Sequence, residues 1–143
     1  MIVVLDASVP LESIVPRSGP GMQLEAQQLL VSSNLEFIAP DFFWLEVVNV
    51  LAKAVRRKQW TADDAQDALA RIKRNKIEIR PNSPLLETAF RLSLFHQLAV
   101  YDMIYLALAL DERVDLITAD LRLFNALGAH YPVRWLGGWN PQR

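Results

Sequence analysis

The sequence predicts an α/β fold with a central, mainly parallel sheet, and three observations predict it. Strand-like and helix-like stretches alternate from end to end, the pattern left when helical crossovers join parallel strands. The strand-like stretches are continuous apolar runs, such as Ile2-Val3-Val4-Leu5, which suits strands covered on both faces. Finally, 143 residues, 52% of them apolar, suffice for a sizeable core. The whole chain, 1–143, is therefore expected to form a single domain. It contains no repeat, linker or low-complexity block.

The elements follow in order. Ile2–Leu5 reads as a buried strand, apolar and β-branched. Asp6-Ala7-Ser8 breaks that run, and a helix is expected before Pro16. Ser18-Gly19-Pro20-Gly21 signals a loop. Gln23–Ser32 reads as a helix with Leu24, Leu29 and Leu30 on one side, and Glu36–Ala39 as a second strand. Pro40 and Asp41 open a helix that runs to about Lys58. Thr61 caps the next one, with Asp63 and Asp64 in its first turn and the basic run Arg71–Lys76 at its end. Ile77–Ile79 is a third strand. Ser83-Pro84 opens a helix carrying Leu85, Leu86, Ala89, Leu92 and Leu94. Tyr101–Asp111 is a buried helix and Asp115–Thr118 a strand. Asp120–Leu127 is a short helix closed by Gly128, and Val133–Leu136 a last strand.

Composition removes several functions. There is no cysteine, so disulfides, zinc–thiolate sites and cysteine nucleophiles are excluded, in keeping with a cytoplasmic location. The apolar start is only about a strand long and has no basic flank, unlike a signal peptide. The stretch Leu98–Leu110 is too short to span a bilayer and contains Asp102, so no membrane partner is expected. A net charge of −1 means that nucleic-acid binding must come from local clusters. No Gly-rich phosphate loop and no Ser/His/Asp set is visible, and His96 and His130 read as ordinary packed or surface residues.

Four acids stand out against this background. Asp6 ends Ile2–Leu5; Glu46 lies inside Phe42–Val48; Asp102 is the only charge between Leu98 and Leu110; Asp120 follows Leu116-Ile117-Thr118-Ala119. Carboxylates are rarely buried unless paired or bound to metal. Taken singly, each has an ordinary explanation: an Asx-turn at Asp6, a helix cap at Asp102 or Asp120. Four together suggest one anionic pocket, which calls for a cation because close like charges cannot otherwise all stay ionised. Asp6 and Asp120 follow the first and fourth strands, at the carboxyl edge where open α/β sheets bind ligands. Without histidine or cysteine nearby in sequence, the all-oxygen set suits Mg²⁺ or Mn²⁺ and not zinc.

On a helix, Glu46, Asn49, Lys53 and Arg56 or Arg57 form one polar stripe. Apolar residues flank it on both sides, which predicts a helix wedged into the core with the stripe facing a cleft. Lys53, Arg56 and Arg57 then extend the Glu46 face and are expected to meet the phosphates of a substrate at the rim of the pocket. Trp60, Trp135, Trp139 and Tyr101 are candidates for base stacking, but isolated aromatics more often serve packing.

Together these residues resemble the PIN-domain ribonucleases, and most closely the VapC toxins of bacterial and archaeal toxin–antitoxin pairs. The resemblance spans nearly the whole chain. It rests on Val4-Leu5-Asp6-Ala7-Ser8, on Glu46-Val47-Val48-Asn49-Val50-Leu51, on Val100–Ala109 and on Leu116-Ile117-Thr118-Ala119-Asp120, in that order. It implies a three-layer α/β/α fold, Mg²⁺- or Mn²⁺-dependent RNA cleavage, a homodimer, and inhibition by a small VapB-like antitoxin. By position, Asp6, Glu46, Asp102 and Asp120 match the acidic quartet of the family. Ser8 and Thr118 match supporting hydroxyls, and Asn49 matches a polar residue one turn after the glutamate. The chain departs from some relatives at Leu121 and Leu123, where they carry additional polar or acidic residues.

Rival readings fit less well. A haloacid-dehalogenase-like site needs a second Asp two residues after the first, where Ser8 stands. A receiver domain needs an acid pair before its phospho-acceptor and a late-strand Lys, and neither is evident. A housekeeping PIN nuclease in RNA processing and a non-catalytic PIN-fold binding module are the alternatives within the family.

Overall fold

A computed structural model describes residues 1–14 and 21–140. The loop expected at Ser18–Gly21 lies outside the described residues except for Gly21. Five strands, β1 (Ile2–Leu5), β2 (Glu36–Pro40), β3 (Ile77–Arg80), β4 (Asp115–Thr118) and β5 (Val133–Trp135), form one sheet in the order β3-β2-β1-β4-β5. All the pairings are parallel, so the expected mainly parallel sheet is wholly so. The helices among the described residues are α1 (Ser8–Glu12), α2 (Gln23–Leu30), α3 (Phe43–Arg56), α4 (Ala62–Lys73), α5 (Leu86–His96), α6 (Val100–Glu112) and α7 (Leu121–Leu127). No single helix among them is long and apolar enough to cross a membrane.

Strand alternation divides the interior in two. Val4 lies in register with Ile38 and Leu116, and these pack with Phe43, Val47, Leu51, Ile72, Met103 and Leu106 of α3, α4 and α6. Val3, Leu5, Phe37 and Ile117 face the other way, onto Val9 of α1, Ala26 and Leu29 of α2, and Leu136. Helices therefore cover both faces of the sheet, the three-layer α/β/α arrangement. This explains why the strands read as unbroken apolar runs. Helix α6 lies deepest: Met103 through Ala109 are all buried, as a run that is apolar on every side of the helix requires.

Several boundaries differ from the sequence reading for identifiable reasons. Pro40 pairs with Arg80 as the last residue of β2, so α3 begins at Phe43 and not at Pro40. Ser83-Pro84 opens a 3₁₀ turn, Ser83–Leu85, before α5 begins. Leu136 starts a second 3₁₀ turn, Leu136–Gly138, which shortens the last strand. Gly128 does close α7, yet in a right-handed conformation; what demands glycine there is space, since a Cβ would lie 2.6 Å from the Phe124 ring.

One expectation is overturned. Helix α3 is not apolar-packed on both sides of its polar stripe. Phe43, Val47 and Leu51 are buried, whereas Leu45 is 68% exposed and Val48 and Val50 are also open. A single helix layer covers this face of the sheet, so the outer side of α3 stays open among the described residues. Helix α5 likewise leaves Leu86, Phe90, Leu94 and Phe95 exposed.

Candidate active site

The four acids converge although they are up to 114 positions apart, from Asp6 to Asp120. Neighbouring parallel strands β1 and β4 end side by side, with Leu5 opposite Ile117, so Asp6 and Thr118–Asp120 emerge at the same carboxyl edge. The Asp6 N–H donates to the Ile117 carbonyl at 3.1 Å and continues the ladder by one bond. Glu46 comes from the first turn of α3 and Asp102 from the first turn of α6, where the helix N-terminus favours negative charge.

Asp6 is the most enclosed member, only 4% exposed. Ser8 Oγ and Thr118 Oγ1 each donate to its Oδ2 at 2.7 Å. The hydroxyls are held in turn: Ala119 N–H donates to Ser8 Oγ at 3.0 Å, and Asp120 N–H to Thr118 Oγ1 at 3.0 Å. Ser8 and Thr118, the two hydroxyls matched by position, thus both bond the first aspartate. The remaining acids are half-buried and border open cavities. Asp120 does cap α7, its Oδ1 accepting from Arg122 N and Leu123 N at 3.0 and 3.3 Å. That cap fixes the carboxylate beside Asp6 and does not remove it from the cluster. Asp102 is no cap; Ala99 occupies that position.

The electrostatics identify a single cluster centred on Asp6. Burial raises the Asp6 carboxyl above its ordinary range against the pull of Ser8 and Thr118, and the Asp120 charge raises it further. Glu46 is pushed up to about 7 by burial first, then by the charges of Asp6 and Asp102. Asp102 is pushed up to about 6 by burial and by Asp6 and Asp120, partly offset by the Arg122 guanidinium. Mutual repulsion of this kind is what a bound cation relieves. The donor chemistry, all carboxylate, fits a hard divalent ion, with Asp6, Glu46, Asp102 and Asp120 to hold it. As the side chains stand, no three acidic or histidine groups among the described residues close on one point.

Asn49 is exposed and lines the same cavity as Glu46 and Asp102, about 540 Å³ in volume. Lys53, Arg56 and Arg57 are exposed and continue along α3 away from Glu46, outside the residues that line that cavity. Two participants escaped the sequence reading. Tyr105 OH donates to Glu46 Oε2 at 3.1 Å and so orients the glutamate from inside the core. Its spacing of one turn from Asp102 was a readable signal. Arg122, two residues beyond Asp120, is the cation felt by Asp102 and borders two cavities at the cluster.

A PIN domain model matches residues 3–129. Ribonuclease VapC3 of Pyrobaculum aerophilum is 31% identical over 125 residues, which covers 86% of this chain and 92% of that protein. Among solved structures, PAE2754 from Pyrobaculum aerophilum aligns with a TM-score of 0.69 at 18% identity, covering 94% of this chain and 89% of that one. A toxin–antitoxin complex from Klebsiella pneumoniae aligns with a TM-score of 0.60 at 21% identity, covering 97% of both chains. At these identities the structural likeness establishes the fold.

Proposed function

Because the chain belongs to the PIN-domain family and is a distant homologue of a ribonuclease, VapC3, we propose that it is a metal-dependent endoribonuclease acting as the toxin of a toxin–antitoxin pair. The observation that carries the reading is the convergence of Asp6, Glu46, Asp102 and Asp120 on one sheet edge with Asp6 at its centre. When bound there, Mg²⁺ or Mn²⁺ supplies an acidified water and neutralises charge on the phosphate oxygens. The chain's own residues do the rest. Ser8 and Thr118 lock Asp6, Tyr105 orients Glu46, and the α7 cap fixes Asp120, so the pocket is preorganised. The enclosed floor at Asp6 limits bulk water on one side of the phosphate, and Arg122 adds a positive charge at the rim.

Three observations support the partners. The Klebsiella pneumoniae protein of similar fold is part of a toxin–antitoxin complex. The exposed apolar residues of α5 supply a surface for a second copy, making a homodimer. Those of α3, beside the acidic cavity, offer a seat for the amphipathic helix of a small VapB-like antitoxin. The setting would be cytoplasmic, where RNA is exposed.

Purified protein should cut RNA in Mg²⁺ or Mn²⁺, need no zinc, and lose the activity in EDTA. Cleavage that survives exhaustive EDTA would overturn the metal-dependent reading. Expression of the chain alone should arrest growth, and co-expression of a small antitoxin, if one is encoded beside it, should restore it. Harmless expression of a nuclease-competent protein would favour housekeeping RNA processing.

Lys53, Arg56 and Arg57 are proposed to hold RNA phosphates beyond the pocket. Replacing all three with Ala should weaken RNA binding and reduce its salt slope by up to about 2 to 3 units of log K per log salt, while metal binding persists. Filter binding across a salt series checks this; an unchanged slope would show that the three residues are only solvated surface.

A further inference from the structure

The carboxylates border two cavities of nearly equal size, and a smaller one of about 280 Å³ touches both Asp102 and Asp120. Of the larger two, one, about 540 Å³, borders Glu46 and Asp102; the other, about 550 Å³, borders Ser8 and Asp120. Both fall in the size range of sites for small organic groups. An RNA strand crossing the cluster must place one nucleotide on each side of the phosphate that is cut. Each of the larger two cavities contains an aromatic side chain that the established packing does not fully use.

On the Glu46 side this is Tyr101, next to Asp102 in the first turn of α6. It is 68% exposed. Its ring is backed by Phe42 at a centroid distance of 5.7 Å, and Phe42 in turn packs edge-on against Tyr105, the residue that orients Glu46. The ring is thus supported from within and open outward, tied to the acidic cluster through two contacts. On the Asp120 side it is Trp135, the last residue of β5. Trp135 pairs in register with Thr118, which places it at the same carboxyl edge as the carboxylates. Its benzo ring lies against Gly137, where a Cβ would come within 2.4 Å of the indole. Its Nε1–H is shielded and has no hydrogen-bond partner among the described residues, an uncommon condition for a buried donor. Arg122 and Met22 complete the wall. By contrast the cavity at Trp60 is lined by Ile14, Asp64, Asp67, Ala68 and Arg71 and includes none of the four acids.

We infer that Tyr101 and Trp135 are stacking platforms for the two nucleobases that flank the scissile phosphate, with Arg122 on the phosphate next to the Trp135 base. This inference rests on the ribonuclease reading and deepens it. Every base has a π-face, so such platforms tolerate sequence; they demand unpaired nucleotides, because a base locked in a duplex cannot enter either cavity. The occupants are therefore single-stranded segments, loops or bulges.

The test uses the full chain in Mn²⁺ and a single-stranded RNA oligonucleotide that it cuts at one position. Abasic nucleotides are placed immediately before or immediately after the cut. With the unmodified chain, each abasic substitution should raise KM roughly 5- to 100-fold, the range expected for one lost base–aromatic stack, and leave kcat much less affected. Tyr101→Ala should become insensitive to the abasic change on one side only, and Trp135→Leu on the other. Tyr101→Phe, which keeps the ring face, should retain the sensitivity to the abasic change that Tyr101→Ala loses. Equal KM for intact and abasic substrates overturns the platforms, and this arm needs no variant to fold. Loss of sensitivity on both sides in Tyr101→Ala also overturns them. No cleavage of any RNA by the unmodified chain in Mn²⁺ would overturn the ribonuclease reading itself.

Discussion

Asp6→Asn protein is expected to cut RNA at least about 100-fold more slowly than the unmodified chain, a loss of several kcal/mol of transition-state stabilisation. No other acid of the cluster is as enclosed, and its charge raises both Glu46 and Asp102. It is therefore the one carboxylate whose removal weakens cation binding by the whole set. Asn keeps the shape and one oxygen acceptor for the hydroxyls of Ser8 and Thr118, so the local packing survives. Asp102→Asn should be impaired in the same way. Single-turnover cleavage in Mn²⁺, with thermal unfolding followed in parallel, measures both halves of the expectation. Full activity of a folded Asp6→Asn protein would remove Asp6 from the mechanism.

The second large effect concerns the protein without metal. Its stability should fall as pH rises from about 5 to 8, by roughly 5–10 °C in Tm. Glu46 at about 7 and Asp102 at about 6 hold their protons in the folded chain over a range where the unfolded chain has released them. A carboxyl raised on folding contributes stability that is present at acid pH and lost as pH climbs through its folded value. Glu46, raised from 4.5, accounts for on the order of 2–3 kcal/mol; Asp102, more open to solvent and faced by Arg122, adds less. Asp6 shifts in the same direction. Adding Mg²⁺ at pH 8 should recover the loss, and Asp6→Asn should flatten the metal-free profile. Melting curves at several pH values with EDTA or Mg²⁺ decide it; a metal-free Tm that rises steadily from pH 5 to 8 would contradict the cluster.

Much of this architecture was legible because apolar periodicity and chain breaks are local. Ile2–Leu5 and Asp115–Thr118 were readable as strands to the residue, since a strand buried on both faces leaves no alternation to misread. The helix at Phe43–Arg56 was placed correctly but starts later than expected. Whether Pro40 ends a strand or begins a helix depends on Arg80, its partner in β3, 40 positions away. The acids were legible for a related reason: a charge inside an apolar run contradicts its neighbours, and such a contradiction can be seen without coordinates.

What the sequence by itself determined is therefore the α/β class, the order of its elements and the identity of the four carboxylates. That they share one pocket was an expectation; which elements carry each of them to the sheet edge came from the tertiary structure. Strand order brings Asp6 beside Asp120, and the packing of α3 and α6 on one face brings Glu46 and Asp102 to the same edge. Tertiary packing alone decided that Tyr105 reaches Glu46, that Arg122 faces Asp102, and that Leu45 and Val48 lie open instead of wedged in the core. The physical reason is range. Propensity and periodicity act over a few residues, whereas burial, charge coupling and side-chain hydrogen bonds depend on which distant segments pack together.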